Sequence, residues 1–424
     1  MLRFFTQIWK LPDLRNRVLF VLAMLVIFRF AASIPLPGVD LESLKALFRN
    51  NQLLGLMNIF SGGGLENFSI VAMGVAPYIT ASIIVQLLTM IIPALENLSK
   101  EGEYGRQKIN QYTRYLAVPL SILQSYGMIT LLQNTPTRIV SHMDPFNLAL
   151  MIVTLTGGTI FLMWIGELIS EKKIGNGISL LIFAGIVASL PKVAQSIQVL
   201  DSTQIFNIGA FAIISIITVV LVVLMTEAQR NIPVSYARQM RGMRLVGGID
   251  TYLPLRVNQG GVIPIIFAIS MILFPPTIAQ FFVRAKTQWL VDMAQATLSF
   301  FNNTTAYGII YFLLVVGFTY FYSAVVFKPD QIAENLQKQG GFVPGIRPGK
   351  STAEYLQSIV NRINLPGSTF LALVAVLPIA MQQITGIQTL VVGGTSLLIV
   401  VSVVLEIMKQ VQAQLTMRDY EEFL

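Results

Sequence analysis

Residues 207–226 read NIGAFAIISIITVVLVVLMT and contain no charged side chain. The hydrocarbon core of a bilayer is about 30 Å thick, and a helix needs roughly 20 apolar residues to cross it. This stretch is therefore predicted to be a membrane-spanning helix. Nine further apolar stretches of similar length alternate with turn residues and charges along the chain. Together the ten predicted spans are residues 17–34, 70–93, 114–133, 148–168, 178–195, 207–226, 262–283, 306–327, 366–383 and 389–408.

The composition of the chain supports the same conclusion. Of its 424 residues, 54% are hydrophobic and 12% are charged, whereas soluble domains carry about 25% charged residues. Only helices and closed barrels satisfy their backbone groups in lipid, and the apolar stretches here lack the alternating pattern of barrel strands. The predicted fold class is an all-α polytopic membrane protein with ten transmembrane helices.

The positive charges are distributed unevenly between the two sides of this ten-span arrangement. Of the 29 Lys and Arg residues, 22 fall at the N-terminus, in the even-numbered connections or after the last span. Six fall on the opposite side, and Arg29 lies inside the first span. Because cytoplasmic loops carry an excess of Lys and Arg, both termini are predicted to be cytoplasmic.

Two connections, residues 227–261 and 328–365, are longer than membrane helices require, because most connections need only a handful of residues. Both contain Gly and Pro in turn-forming combinations together with regularly placed Arg. One interpretation is a solvated linker. The other is a structured finger that docks a large acidic or RNA-rich cytosolic partner, since exposed Arg pairs bidentately with carboxylate or phosphate.

An internal repeat divides the ten spans into two groups of five. GVAPYITA at residues 74–81 recurs as GVIPIIFA at residues 261–268, and GISLLI at residues 177–182 recurs as GTSLLI at residues 394–399. An odd number of spans in each group places the second group upside down relative to the first. We expect an N-terminal half, residues 1–205, and an inverted C-terminal half, residues 206–424.

Inverted repeats meet at the bilayer midplane, where transported material passes. The repeated segments are therefore expected to line a passage, and they carry isoleucine at helical spacing. The residues concerned are Ile79, Ile83, Ile178, Ile182, Ile266 and Ile399. The alternative is that these side chains are ordinary core or lipid-facing residues.

A glycine-rich segment precedes the second span. Three consecutive glycines make a poor helix interior and a good hinge or point of close approach. The segment is either a plain surface loop or a small mobile element that dips back into the molecule. Its residues are Phe60, Ser61, Gly62, Gly63, Gly64, Leu65, Glu66, Asn67 and Phe68.

Several classes of protein lose support from what the sequence lacks. Ion-coupled transporters usually carry ionisable residues inside their spans, and here only Arg29 lies deep in one. The sequence contains no phosphate-binding Gly-Lys-Ser/Thr loop, no His-Glu-x-x-His and no Gly-x-Ser-x-Gly motif, and it has no cysteine. We therefore predict that the chain is not an enzyme, holds no cofactor or metal, and takes its energy from a partner.

Seven longer motifs carry a resemblance to a known family. They are FSGGGLENFSI at residues 60–70, GVAPYITASIIVQLL at 74–88, KEGEYGRQKINQYTRY at 100–115, GNGISLLIFAGIV at 175–187, GGVIPIIFA at 260–268, FVPGIRPG at 342–349 and GGTSLLIVVSVV at 393–404. In content and order they resemble the bacterial SecY family, whose members form the channel of the Sec protein translocon.

The resemblance implies an hourglass channel in the bacterial cytoplasmic membrane. Such a channel passes unfolded secretory chains across the membrane and releases membrane-protein helices sideways through a gate between spans two and three and spans seven and eight. The six isoleucines match the family's central pore ring, and residues from about 57 to 68 match the plug that closes the external funnel.

The resemblance also implies partners. SecE and SecG are the expected membrane subunits, and the SecA motor or the ribosome is expected to dock on the cytosolic connections. The basic residues expected in this docking surface are Arg238, Arg241, Arg244, Arg347 and Lys350. Two competing functions stay open: a secondary transporter, which would need a polar midplane site, and an insertase-like membrane chaperone without a through-pore.

Overall fold

The structure is a computed structural model that describes residues 9, 11–50, 58, 61–133, 139, 144–198, 205–236, 239–241, 244–246, 250–283, 287–385 and 389–422. Its helices are α1 Pro12–Ala31, α2 Leu41–Asn50, α3 Ala76–Ile91, α4 Pro93–Lys100, α5 Glu103–Gln133, α6 Pro145–Glu171, α7 Gly177–Gln198, α8 Ile205–Glu227, α9 Ile263–Phe282, α10 Gln288–Asn302, α11 Thr304–Val326, α12 Pro329–Lys338, α13 Lys350–Thr385 and α14 Thr389–Glu422. Its strands are β1 Gln229–Tyr236, β2 Gln239–Arg241, β3 Arg244–Val246, β4 Asp250–Arg256 and β5 Gly341–Phe342.

The helices confirm the predicted membrane fold class. Within the described residues, α5, α6, α9, α11, α13 and α14 are long and apolar enough to cross a membrane, and the α3–α4 pair could make a seventh span. Shorter apolar stretches lie in α7 and α8. α1 has the length of a span but carries several charges, among them Arg15, Arg17 and Arg29. The total of ten spans stays a prediction.

The second predicted span, residues 70–93, is shorter as a helix than expected. Residues 70–75 form turns, and α3 begins only at Ala76. At its other end Pro93 restricts Ile92 to extended backbone, and α4 leaves α3 at an angle of 100°. Irregular backbone at membrane depth is tolerated where protein surrounds it. Val71, Ala72 and Val75 are indeed buried.

The connection at residues 328–365 is not a loop, and the helix that contains the ninth predicted span begins well before residue 366. It contains α12, β5 and the first turns of α13, which begins at Lys350 and continues through Pro366. The early part of α13 is amphipathic, since Leu356, Ile359 and Ile363 are buried at helical spacing. Packing of this face outweighs the helix-ending tendency of Pro366.

The connection at residues 227–261 is a β-hairpin, so the interpretation as a solvated linker does not hold for its described residues. β1 pairs antiparallel with β4, from Gln229 opposite Arg256 to Ser235 opposite Asp250. The other edge of β1 pairs with β5, and β2 pairs with β3 at the hairpin tip. Ile232 and Leu255 of the sheet pack with Leu356 of α13 in one hydrophobic cluster. The two long connections therefore form a single structured unit.

The N- and C-terminal parts of the chain meet along two seams. At the first seam α9 packs against α3 and α5, and at the second seam α7 packs against α14. Next to the second seam, Gln414 Nε2 of α14 donates to the carbonyl of Lys173, in the turn before α7, at 2.5 Å. One large hydrophobic cluster runs through both parts of the molecule.

The two copies of the first repeat motif have the same local conformation. Gly74 has φ +58° and Gly261 has φ +59°, values that glycine adopts readily. A valine N-cap follows each glycine, and the second residue of each helix, Pro77 or Pro264, is a proline. Proline is favoured there because its missing N–H would have no helical partner. The repeat in the sequence is thus a repeat in structure at these two helix starts.

Candidate functional site

The six predicted isoleucines lie on four helices that line the two seams. Ile79 and Ile83 are on α3, Ile178 and Ile182 on α7, Ile266 on α9 and Ile399 on α14. Five of them are buried members of the large hydrophobic cluster, and the half-buried Ile178 packs against it. All six therefore belong to or pack against one hydrophobic cluster that runs through both halves of the chain, and each half contributes two of the four helices that carry them. Their role in a pore stays a prediction.

The repeated helix starts place Ile79 and Ile266 equivalently. Each isoleucine is five residues after the left-handed glycine of its motif. Its backbone N–H donates to the carbonyl of the valine N-cap, at 3.0 Å for Ile79 to Val75 and at 3.1 Å for Ile266 to Val262. Each side chain therefore projects from the first complete turn of its helix.

A tight turn fixes the start of α7 and with it Ile178. Asn176 Oδ1 accepts from the backbone N–H of Ile178 at 3.0 Å, which caps the helix. Ser170 Oγ of α6 accepts from the N–H of Gly177 at 2.9 Å. A Cβ atom on Gly177 would overlap the carbonyl of Gly166, so glycine permits this close approach of α7 to α6.

The glycine-rich segment is enclosed by the molecule from Ser61 to Phe68; Phe60 lies outside the described residues. Its backbone forms consecutive turns, and Ser61, Gly62, Gly64, Leu65 and Phe68 are buried. The alternative of a plain surface loop does not fit this burial. The burial agrees with an element that dips back into the molecule, and its mobility stays a prediction.

Close contacts with side chains of α1 and with the backbone of α7 hold this segment in place. A Cβ atom on Gly62 would overlap the ring of Phe28, and a Cβ atom on Gly185 of α7 would overlap the Cα atom of Gly62. Gly62 and Gly63 both have positive φ, at +67° and +80°. Arg29 Nη1 donates to the carbonyl of Gly62 at 2.8 Å. The one basic residue predicted inside a span thus contacts the segment directly.

Phe68 ends the segment in a strained conformation. Its φ of +42° is unusual for a residue with a bulky side chain. The carbonyl of Phe68 accepts from the N–H of Leu36 at 2.9 Å, and its side chain is 0% exposed. Phe68 and Leu65 belong to a second hydrophobic cluster with Leu36 and Leu44. Burial in this cluster stabilises the strained backbone.

A polar bridge that the sequence analysis missed supports the start of α9. Ser323 Oγ of α11 donates to Gln259 Oε1 at 2.8 Å, and Asn364 Nδ2 of α13 donates to Ser323 Oγ at 2.8 Å. Asn258 Nδ2 donates to the carbonyl of Gly261 at 3.2 Å. The base of the β-sheet, α11 and α13 are thereby tied to the helix that forms the first seam.

The predicted docking residues fall on the sheet and its neighbouring loop. Arg347, between β5 and α13, and Lys350, the first residue of α13, are exposed. The carbonyl of Arg347 accepts from Thr352 Oγ1 at 2.9 Å. Arg241 and Arg244 are opposite each other in the β2–β3 ladder, with side chains outside the described atoms. Arg238 lies outside the described residues. A docking role for the group stays a prediction.

Comparison with known proteins places these features in context. The sequence pattern of the SecY family matches residues 69–408. A protein translocase subunit SecY from Streptomyces galbus is 44% identical over 439 aligned positions, which cover 100% of both chains.

Two solved structures share the fold. The first is a SecY protein whose plug domain stabilises the closed state of the translocation channel and maintains a membrane seal; its TM-score is 0.64 at 18% identity. The second is Sec61 in the canine ribosome-channel complex from the endoplasmic reticulum, with a TM-score of 0.61 at 16% identity. Each match covers 93% of this chain and 91% of the other. At these identities the likeness concerns the fold alone.

Proposed function

The chain belongs to the SecY family, and from this we propose that it is the protein-conducting channel of a protein translocase. It passes unfolded secretory polypeptides across the membrane and releases membrane-protein helices sideways into the lipid. It is a channel and not an enzyme.

The observation that carries the proposal is that the six isoleucines, on four helices at the two seams, all belong to or pack against one hydrophobic cluster. A hydrophobic constriction resists ions because water leaves it readily. Flexible aliphatic side chains also fit around a translocating polypeptide of almost any sequence. We propose that these residues form the constriction, which seals the channel without selecting its cargo.

The glycine-rich segment is proposed to be the plug of this constriction. It is buried, it touches α7 next to Ile186 of the large cluster, and its backbone hydrogen bond to Arg29 is of a kind that can break and form again. Three consecutive glycines give it the backbone freedom to leave. In this proposal the segment moves out when a polypeptide enters.

The first seam, between α9 and the pair α3 and α5, is proposed to be the lateral gate. The second seam has the Gln414 to Lys173 hydrogen bond next to it and is proposed to stay closed as a hinge. A membrane helix would then leave on one side of the molecule only.

We propose that the translocase lies in the bacterial cytoplasmic membrane, with ten spans in two inverted halves and both termini cytoplasmic. SecE and SecG are the proposed membrane partners. SecA and the ribosome are proposed to dock on the sheet unit, where Arg347 and Lys350 are exposed. The distribution of positive charges supports this orientation.

Reconstitution into liposomes with SecE, SecG, SecA and a secretory precursor tests the function. We expect ATP-dependent protection of the precursor from external protease. Insertion of membrane helices without such protection would favour the insertase-like chaperone instead. Uptake of a small solute driven by an ion gradient, without protection of the precursor, would favour a secondary transporter.

A further inference from the structure

The helix α10 has three distinct faces. At about 100° per residue, Leu290, Ala294 and Leu298 share a face that packs against the protein. A second face carries three large apolar side chains that the protein leaves uncovered: Trp289 is 59% exposed, Met293 58% and Phe300 50%. The third face is polar and consists of Gln288, Asp292, Gln295 and Ser299.

The position of α10 in the chain places it at a membrane boundary. It connects the end of α9 to the start of α11, and both of these helices are long and apolar enough to cross a membrane. Because the β-sheet is attached to the opposite end of α9, α10 lies on the far side of the membrane from the sheet. Helix α10 also packs against both α9 and α11.

We propose that α10 lies in the lipid interface, with Trp289, Met293 and Phe300 inserted among the acyl chains and headgroups of that leaflet. Helices with one apolar and one polar exposed face lie in this region, and tryptophan is enriched there. The helix continues a surface that already meets lipid, since α9 and α11 are its direct neighbours.

The charge of α10 identifies the kind of lipid contact. Asp292 is the single charged residue of the helix, and its Oδ1 accepts from Gln288 Nε2 at 3.1 Å on the polar face. The helix has no Lys or Arg to bind anionic headgroups. Insertion of the helix itself is therefore driven by burial of apolar surface.

Helix α9, which forms the first seam, is then held at both ends. Lipid that holds α10 also holds the end of α9 remote from the sheet, while the polar bridge holds the sheet end. The inference rests on the membrane character of the chain, so it stands or falls independently of protein translocation.

The intrinsic fluorescence of the full chain tests the proposal directly. The chain has three tryptophans, so Trp9→Phe with Trp164→Phe leaves Trp289 alone. The variant is reconstituted in phosphatidylcholine liposomes with and without lipid brominated on the upper acyl carbons. We expect brominated lipid to remove most of the Trp289 emission, and aqueous iodide to have little effect.

The matched control moves the probe to the polar face of the same helix. Trp289→Phe with Gln295→Trp in the same background should give the reverse pattern, with strong quenching by iodide and weak quenching by brominated lipid. Equal quenching of both variants by either agent would overturn the proposal. Protection of Trp289 from both agents would also overturn it, because a protein partner or a second copy would then cover the face.

A second measurement guards against misfolding of the tryptophan variants. The chain has no cysteine, so Met293→Cys and Gln295→Cys each give a unique site for a nitroxide label. We expect the label at residue 293 to be accessible to oxygen, which concentrates in lipid, and the label at residue 295 to be accessible to a soluble nickel chelate. Equal accessibility at the two sites would contradict the inserted face.

Discussion

At the scale of single residues, glycine decides where the glycine-rich segment, the proposed plug, can lie. Gly185 has no room for a Cβ atom because the backbone of Gly62 lies against it, and Gly62 has none because the ring of Phe28 lies against it. Both glycines belong to motifs that the sequence analysis selected. The sequence identified the segment as a hinge or point of close approach from its composition. Its contact with α7 could not be predicted, because periodicity does not indicate which backbones meet.

Gly185→Ala tests this contact. The new Cβ atom would press on the backbone of Gly62, and overpacking of this kind typically costs about 1–3 kcal/mol. We expect the plug segment to be displaced and the closed channel to conduct more ions in planar bilayers. Gly157→Ala is the control, since that glycine of α6 has open space around its Cβ position. Equal conductance of the two variants would show that the contact does not seal the channel.

Arg29→Ala removes the side chain that holds the carbonyl of Gly62. Hydrogen bonds to charged groups contribute about 1.5–3 kcal/mol. Because Arg29 is only half-buried, we expect the loss of this bond to cost an energy toward the lower end of that range. The variant should leak ions. Deletion of residues 61–68 should leak as well, and the combined variant should leak no more than the deletion alone, because both changes release the same segment. If the ion leak of the combined variant equalled the sum of the two single leaks, Arg29 would act independently of the plug segment.

Ile399→Asn tests the constriction. An unpartnered amide in apolar surroundings costs roughly 1–3 kcal/mol, and each 1.4 kcal/mol shifts a two-state equilibrium about tenfold. The closed state should lose stability, so we expect higher ion conductance and easier acceptance of precursors with weak signal sequences. Val404→Asn is the control, because Val404 is exposed on the same helix. If the conductance of Ile399→Asn were no higher than that of the control, Ile399 would not belong to the constriction.

At the scale of elements, local signals predicted most helices, and long-range packing corrected some of their ends. The uninterrupted runs within α6 and α11 could be recognised from hydropathy. Residues 70–75 are equally apolar, and their turns depend on Gly74 and on protein packed around them. The start of α13 was missed because Pro366 and Arg362 resemble a helix boundary, while its buried face becomes recognisable only once the sheet is known.

The polar bridge was missed for a related reason. Gln259, Ser323 and Asn364 come from three separate elements, and their residue numbers differ by 64 and 41 along its two hydrogen bonds. Each residue alone is a common loop or helix residue. Its role depends on partners that no local pattern in the sequence connects.

Arg347→Glu tests the sheet unit as a docking element. The change reverses an exposed charge and removes a bidentate donor, so we expect loss of SecA-driven transport with normal levels of protein in the membrane. Lys338→Glu is the control: Lys338 is exposed in the same connection, and its ion pair with Glu334 is exposed and contributes little to stability. Equal transport by the two variants would show that Arg347 has no part in docking.

At the scale of the whole molecule, the charge distribution predicts the orientation. An excess of 22 over 6 positive charges should hold both termini in the cytoplasm. A reporter fused after Leu424, active only in the cytoplasm, should therefore be active. A fusion after residue 303, between α10 and α11, provides the comparison and should be inactive. Activity of the second fusion alone would invert the topology and place the sheet unit outside the cell.

The length of α13 has a mechanical consequence. A continuous helix of 36 residues is about 54 Å long, so it extends roughly 24 Å beyond a 30 Å hydrocarbon layer. One end is clamped in the sheet unit and the other runs beside α11 and α14. Helix α13 would therefore act as a lever: torque that a docked motor applies to the sheet unit would be transmitted along the helix into the bilayer. Pro366 and Pro378 lie within the helix and make it a jointed lever, because prolines are where helices bend.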